Sequence, residues 1–442
     1  MNNKRTKGEN VYQLVQKRLK FLFNEFDNIY VSFSGGKDSG VLLNLCIQYI
    51  REHNLDRKIG VYHMDYEAQY QMTTEYVEQT FRENQDILEI YHVCVILEIY
   101  HVCVPFKVVT CASMFQTYWR PWDESMHAHW VRPMPKNCYK KEDFPFYNEE
   151  MWDYTFQTSF ASWYHKKHDA VRTCCLVGIR TQESLDRWRT IHGNNRLNSY
   201  HNLMWTRRLG YDLYNAYPIY DWTTEDIWTA YARFKWPFNQ MYELYYKAGV
   251  PLDRQRVASP FLSTAQETLK LYKAIDPNTW GRMLGRVNGV NFTGIYGGTR
   301  AMGWQNIKLP EGYTWKEYMY FLLDTLPEET KQSYLEKLRV SREFWKYKGG
   351  CLDLSTIRKL TDLGIKFYVQ KKTNYKTDKL PVQMDYLDDI DIAEFKEIPT
   401  YKRMCICILK NDHVCKYMGF ALTKKEKLRR DRVMQKYKNI IK

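Results

Sequence analysis

The stretch Ser34-Gly35-Gly36-Lys37-Asp38-Ser39 is the part of this chain best equipped for chemistry. Two adjacent glycines let the backbone come close to an anion, and a helix starting there aims unpaired N–H groups at it. Ser34 and Ser39 add hydroxyl donors, and Lys37 adds a compact positive charge suited to phosphate. Asp38 would fix the loop or help orient a metal ion carried by the phosphates. These residues describe a phosphate cradle. The common NTPase loop is excluded, because it needs four residues between its first Gly and a Gly-Lys-Ser/Thr end.

A second polar group follows at Gly178-Ile179-Arg180-Thr181-Gln182-Glu183-Ser184, with Arg187 and Arg189 beyond it. Gly178 permits close approach, Arg180 can fork onto a phosphate or sulfate, and Glu183 can orient an arginine. Taken singly, Arg180 is as well read as one half of a structural ion pair. Asp65, at the end of the apolar run 59–64, is the third candidate.

The surrounding elements must bring these residues together. Ile29-Tyr30-Val31-Ser32-Phe33 reads as a buried strand, and the apolar positions after the glycines suit a helix packed on a sheet. Strand and helix patterns alternate through the first half, predicting a parallel sheet with crossover helices. The expected strands are 29–33, 59–64, one within 87–104, 173–178 and 216–221. Helices are expected over 71–82 and 224–233, the second capped by Thr223 or Thr224. In such a sheet, ligands sit at the carboxyl ends of the strands, near the point where strand order reverses.

The run 87–95, Ile-Leu-Glu-Ile-Tyr-His-Val-Cys-Val, recurs unchanged as 96–104. A shift of nine residues reverses which face each side chain meets, so both copies cannot fill one strand role. The second copy, beside Pro105, is expected to be the central strand. The insertion after it carries Trp119-Arg120-Pro121-Trp122 and His127-Ala128-His129-Trp130 and is a candidate substrate lid. From about residue 235 the alternation stops and helical patterns dominate, with short extended pieces expected near 365–369 and 405–409. The tail 424–442 is basic.

At 442 residues the chain can bury more than one core. Its formal charge of +14 favours an anionic partner, whether nucleotide, nucleic acid or acidic protein. Eleven scattered cysteines do not describe a disulfide framework. No apolar run is long enough to span a bilayer, and the start lacks the apolar core of a signal peptide. A reduced, cytoplasmic protein without a membrane partner is expected.

The loop 34–39 resembles the pyrophosphate loop of the PP-loop ATP pyrophosphatases. Gly178 to Ser184, followed by Pro218-Ile219-Tyr220-Asp221-Trp222-Thr223-Thr224-Glu225-Asp226, is similar to the corresponding segments of phosphoadenosine phosphosulfate (PAPS) reductase-like proteins. Over its whole length the chain resembles the group of these proteins with a DUF3440 region, among them the immunoglobulin-binding regulator A proteins.

The resemblance implies an α/β fold of the adenine nucleotide α-hydrolase, or HUP, type. A parallel five-stranded sheet with flanking helices would occupy residues 1–234, and a mainly helical region 235–442. It implies binding of ATP, PAPS or AMP on Ser34, Gly35, Gly36, Lys37, Asp38, Ser39, Asp65, Gly178, Arg180, Glu183 and Arg187. Mg²⁺ would be held by the phosphates, and Lys37, Asp38 and Arg180 would carry the chemistry. That chemistry would be cleavage of ATP between the α and β phosphates to adenylate an acceptor; the alternatives are a nucleotide sensor that binds without turnover, and sulfonucleotide or nucleic-acid sulfur-modification chemistry. A ParB-like partner and a role in transcriptional co-activation are further implications, as is a nucleic-acid contact by the basic tail. Two features depart from the family. The reductase cysteine motif is missing, and Cys174-Cys175 lie in an apolar strand with no later Cys-x-x-Cys, so no iron–sulfur cluster is expected.

Overall fold

The computed structural model describes residues 8–85, 97–192, 198–252, 254–257, 259–262, 265–266, 268–297, 299, 307–370 and 379–418. The chain forms two compact units. The first comprises residues 1–108, 120–260 and 271–286, and the second 109–119, 261–270 and 287–442.

The first unit is built on a six-stranded sheet. Its elements, in chain order, are α1 (Val11–Glu25), β1 (Asn28–Ser32), α2 (Lys37–Glu52), β2 (Ile59–Met64), α3 (Gln71–Gln85), β3 (Leu97–Val102), α4 (Asp153–Lys167), β4 (Thr173–Val177), α5 (Leu185–His192), β5 (Thr206–Gly210), β6 (Leu213–Ala216), α6 (Thr224–Phe234), α7 (Met241–Lys247), α8 (Leu271–Ile275) and α9 (Pro277–Arg286). The strand order is β3-β2-β1-β4-β6-β5. Five strands run parallel, and β5 is antiparallel to β6 at one edge.

Burial on both faces explains the near-continuous apolar runs in the central strands. Ile29 and Val31 of β1, Ile59 and Val61 of β2 and Leu176 of β4 are all buried. Helix α2 lays Val41, Leu42, Leu45 and Cys46 into the same core, and α6 adds Ile227 and Tyr231. Each such aliphatic side chain removed from water contributes about 1.5–3 kcal/mol. Thr223 caps α6, its side chain accepting from the Asp226 N–H while Asp226 reaches back. Asn10 and Gln13 do the same for α1.

The strand order places the reversal at β1. Chain connections move from β1 to β2 and β3 on one side, then cross to β4 on the other. The loops after β1 and β4 therefore flank the crevice where an open parallel sheet binds ligands. Those loops hold the two motifs read from the sequence.

Four expectations require correction. The second copy of the repeat forms β3, but at an edge: it pairs with β2 and otherwise makes an isolated bridge from Val102 to Tyr139. The centre belongs to β1, which pairs with β2 on one side and β4 on the other. The first copy, 87–95, lies outside the described residues. The last parallel strand ends at Ala216 rather than starting there, because Pro218 lacks an N–H and the chain goes into turns, with Tyr220 N–H on Tyr217 O. A sixth strand, β5, arises because the turn at Tyr211-Asp212, with Asp212 at φ 52°, folds 206–210 back on β6. The fourth correction, at 405–409, lies in the second unit.

That second unit is mainly helical, as expected. Its elements are α10 (Val290–Tyr296), α11 (Trp315–Asp324), α12 (Glu328–Tyr347), β7 (Gly350–Leu352), α13 (Leu354–Asp362), β8 (Phe367–Val369), β9 (Leu380–Met384) and α14 (Tyr401–Leu409), with the three strands in order β8-β9-β7. Residues 405–409 are helical, not extended. Thr400 caps α14 by accepting from the Arg403 N–H, and Cys405, Cys407 and Ile408 pack against Trp315, Leu323 and Leu338. The basic tail 424–442 lies outside the described residues. Among the described residues no helix is long and apolar enough to cross a membrane.

Candidate phosphate-binding site

The loop after β1 is wound tightly on its own hydroxyls. Ser39 Oγ donates to Gly36 O at 3.1 Å and accepts from the Ser34 N–H at 3.2 Å. Ser34 Oγ lies 3.1 Å from it and takes the Gly36 N–H at 3.4 Å. Gly35 sits at φ 72°, in the left-handed region, and a Cβ there would meet Val77 Cγ2 at 2.8 Å. Gly36 then caps α2 and Lys37 is its first residue.

The charges behind the loop form a chain. Arg180 is 2% exposed and donates from Nε to Asp38 Oδ1 at 2.6 Å and from Nη1 to Trp222 O at 3.4 Å. Asp38 Oδ2 faces Lys37 Nζ at 3.4 Å. Gly178 makes this possible: a Cβ there would stand 2.9 Å from the Asp38 carbonyl carbon and 3.0 Å from the Ser39 nitrogen. β4 thus packs directly on the first turn of α2. Glu183 holds Arg187 Nη1 at 2.5 Å, so it orients an arginine as the sequence suggested. Arg180, Asp38, Lys37, Gly178, Glu183 and Arg187 are brought to one place.

Asp65 is placed differently. Its carboxylate is 1% exposed and takes His101 Nε2 at 2.7 Å and Arg132 Nη2 at 2.5 Å on each oxygen. Burial works against the ionised carboxylate, but Arg132 and His101 overrule it and hold the group well below the usual carboxylate range. Neighbouring His63 donates from Nδ1 to Phe33 O, 2.8 Å away, and burial pushes its imidazole down to about 4. His63, Asp65 and His101 are spaced like metal ligands. The Arg132 guanidinium, bound to both Asp65 oxygens, already supplies the positive charge there. Asp65 therefore buttresses the end of β2. Glu67, fully buried, is held by two bonds from Arg286 and accepts the Trp122 and Val131 N–H groups, which anchors the insertion. His127 and His129 of that insertion are exposed on a 3₁₀ turn.

Sequence reasoning missed the residues that cover the loop. Tyr242 Oη accepts the Lys37 N–H at 3.0 Å, and Gln255 O accepts from Lys37 Nζ at 3.1 Å. Tyr231 Oη donates to Lys37 O at 2.8 Å, and Asn239 Nδ2 to Gly35 O at 3.0 Å. Lys37 lies over the Tyr242 ring, with Nζ 5.2 Å from its centre. Burial lowers the affinity of its ammonium for its proton, and Asp38 opposes that pull. The sole sequence signal was Asn239 two residues before an apolar helix, which indicates a cap.

Cys174 and Cys175 are buried in β4, where burial pushes both thiols up, Cys175 to about 12. They pack as small apolar side chains.

A parallel sheet with a Ser-Gly-Gly-Lys-Asp-Ser loop at its reversal point defines a PP-loop nucleotide-binding class. Residues 28–93 match the phosphoadenosine phosphosulfate reductase domain and residues 249–429 a domain of unknown function, DUF3440. The chain is 32% identical over 426 residues to the uncharacterized protein YbdN of Escherichia coli K12, covering 95% of this chain and 93% of that one. It belongs to the PAPS reductase-like family with a DUF3440 region. Among solved structures, it is similar to PAPS reductase from Candida auris in a phosphate complex (12% identity, TM-score 0.27, 55% of this chain and 94% of that one). Yeast FAD synthetase in complex with FAD matches at 14% identity and TM-score 0.30, over 55% of this chain and 65%, less than two thirds, of that one.

Proposed function

We propose that the loop 34–39 binds the terminal phosphates of ATP and that the protein cleaves ATP between its α and β phosphates, adenylating an acceptor. The observation that carries this reading is the strand–loop–helix unit itself, with Lys37 opening α2 and the Lys37–Asp38–Arg180 chain fixed behind it. Transfers at phosphorus depend mainly on positioning and on stabilising charge, and the cradle offers both. Lys37 Nζ and the N–H groups at the start of α2 would neutralise the departing pyrophosphate. Arg187, partly exposed and held by Glu183, would meet the α phosphate or the acceptor. Both oxygens of Asp38 face basic partners, so Mg²⁺ would be held by the phosphates, and Asp38 would fix the loop.

Titration calorimetry of ATP, AMP and PAPS with Mg²⁺, on the native chain and on Lys37→Ala, tests the proposal. Native binding of ATP that the variant loses supports it, provided the variant's melting curve shows it folded. Equal ATP binding by both, or binding of PAPS without ATP, overturns it.

A further inference from the structure

The end of the repeat beside β3 and the insertion after it each hold a cysteine that the nucleotide site does not use. Residues 138–140 run beside the end of β3: Tyr139 N–H donates to His101 O at 2.8 Å, and Cys103 N–H donates to Tyr139 O at 2.9 Å. This parallel bridge pairs Val102 with Tyr139. Side chains alternate along extended chains, so Cys103 and Cys138 fall on the face opposite to Val102 and Tyr139. There the Cys138 side chain packs against the group that holds Cys103. Cys103 is 1% exposed and Cys138 is half-buried, within one small cluster with Trp122, Trp130 and Met134.

The geometry points to a redox-active dithiol at which Cys138 attacks a small hydroperoxide and Cys103 resolves the product. An accessible thiol backed by a buried one in contact is the arrangement such chemistry needs. The surrounding charges agree. Cys103 draws the Cys138 thiol below its ordinary range; burial and Asp65 oppose this, and His101 and Lys140 assist. Burial raises Cys103, as do Cys138 and the charge of Asp65, while Arg132 lowers it. A thiol drawn below its ordinary range carries more of the thiolate, which is the attacking form.

The steps balance with hydrogen peroxide as the oxidant. The Cys138 thiolate attacks one peroxide oxygen; an S–O bond forms, the O–O bond breaks, and hydroxide leaves to take a proton as water. The sulfur has lost two electrons and stands as a sulfenic acid. Cys103 then attacks that sulfur; the S–S bond forms, the S–O bond breaks, and a second water carries off the thiol proton. An external dithiol restores both thiols by two exchanges. The reading is independent of the nucleotide proposal.

The full chain is treated with one equivalent of hydrogen peroxide at pH 7.5 and digested without reduction, and its peptides are weighed. The expected product is a peptide pair joined through Cys103 and Cys138, with the total of eleven thiols reduced by two and recovered with dithiothreitol. In Cys103→Ala, Cys138 should instead accumulate as a dimedone-reactive sulfenic acid. At pH 7 iodoacetamide should modify Cys138 at least tenfold faster than Cys351, which is likewise half-buried. Oxidation that spares this pair, or alkylation of Cys138 no faster than Cys351, overturns the inference.

Discussion

Replacing Arg180 with Met removes the charge that holds Asp38 while keeping most of the side-chain volume. Arg180 is 2% exposed and its Nε lies 2.6 Å from Asp38 Oδ1, whose side chain is 14% exposed. At an effective dielectric of about 20, such a pair attracts by roughly 6 kcal/mol before desolvation is subtracted. Deleting one member of a buried pair costs about 3–5 kcal/mol, because the other charge stays buried. Lys37, 3.4 Å from the second Asp38 oxygen, moderates the loss, so the lower figure is expected. At about 2–4 °C per kcal/mol in a unit of this size, the melting temperature should fall by on the order of 10 °C. Asp38→Asn should cost less, and the double variant should lose at least about 1 kcal/mol less than the two single losses combined. Thermal unfolding of the four proteins, with ATP titrations beside it, gives both readouts. A cycle that is additive, or an Arg180→Met protein that melts normally and yet loses ATP, would show that Arg180 acts on the ligand directly and would refute the positioning argument.

Gly178→Ala should cost about 1–3 kcal/mol and weaken nucleotide binding, because the new Cβ meets backbone at 2.9 Å. Gly281→Ala, in α9 with open space around it, should leave stability unchanged or raise it by up to about 1 kcal/mol; melting curves compare the two. His63 makes the fold sensitive to acid. Its imidazole lies near 4 in the fold and near 6.5 in the unfolded chain, so its contribution is complete above pH 6.5 and is lost as pH falls toward 4. The loss is roughly 3 kcal/mol. Denaturant unfolding at intervals across that range should give a steeper decline for the native chain than for His63→Gln, and parallel curves would sink the assignment.

The part of the site written in consecutive residues was legible. Glycines and a lysine between a β-branched run and a helix pattern leave few alternatives, and Gly178 with Arg180 stands out for the same reason. What the sequence hid is long-range. Nothing local tells that Asp65 is sealed by an arginine 67 positions away, or that Tyr242 and Gln255 reach Lys37 across more than 200 positions. Strand rank was hidden as well. The repeat has the composition of a central strand, yet its second copy sits at the edge, since rank depends on which partners arrive on either side. At 405–409 the β-favouring composition lost to a capped helix with an apolar face already waiting.

The contacts made by Tyr242 and Gln255 bear on how the cradle works. A phosphate accepts hydrogen bonds, and both partners of Lys37 here are acceptors, a phenol oxygen on its N–H and a carbonyl on its ammonium. They satisfy the same donors a phosphate would use, so a buried lysine with a weakened hold on its proton stays stable in the fold. Neither acceptor carries a full negative charge, and a charged oxygen makes the stronger bond with an ammonium. Exchange of these neutral oxygens for phosphate oxygens is therefore favourable in energy, and its cost lies in moving the segment that carries them. Tyr231 and Asn239 bind carbonyl oxygens of the loop instead, and those bonds survive the exchange. The segment 231–257 thus does two separable things: it fixes the loop through its carbonyls and covers its donors.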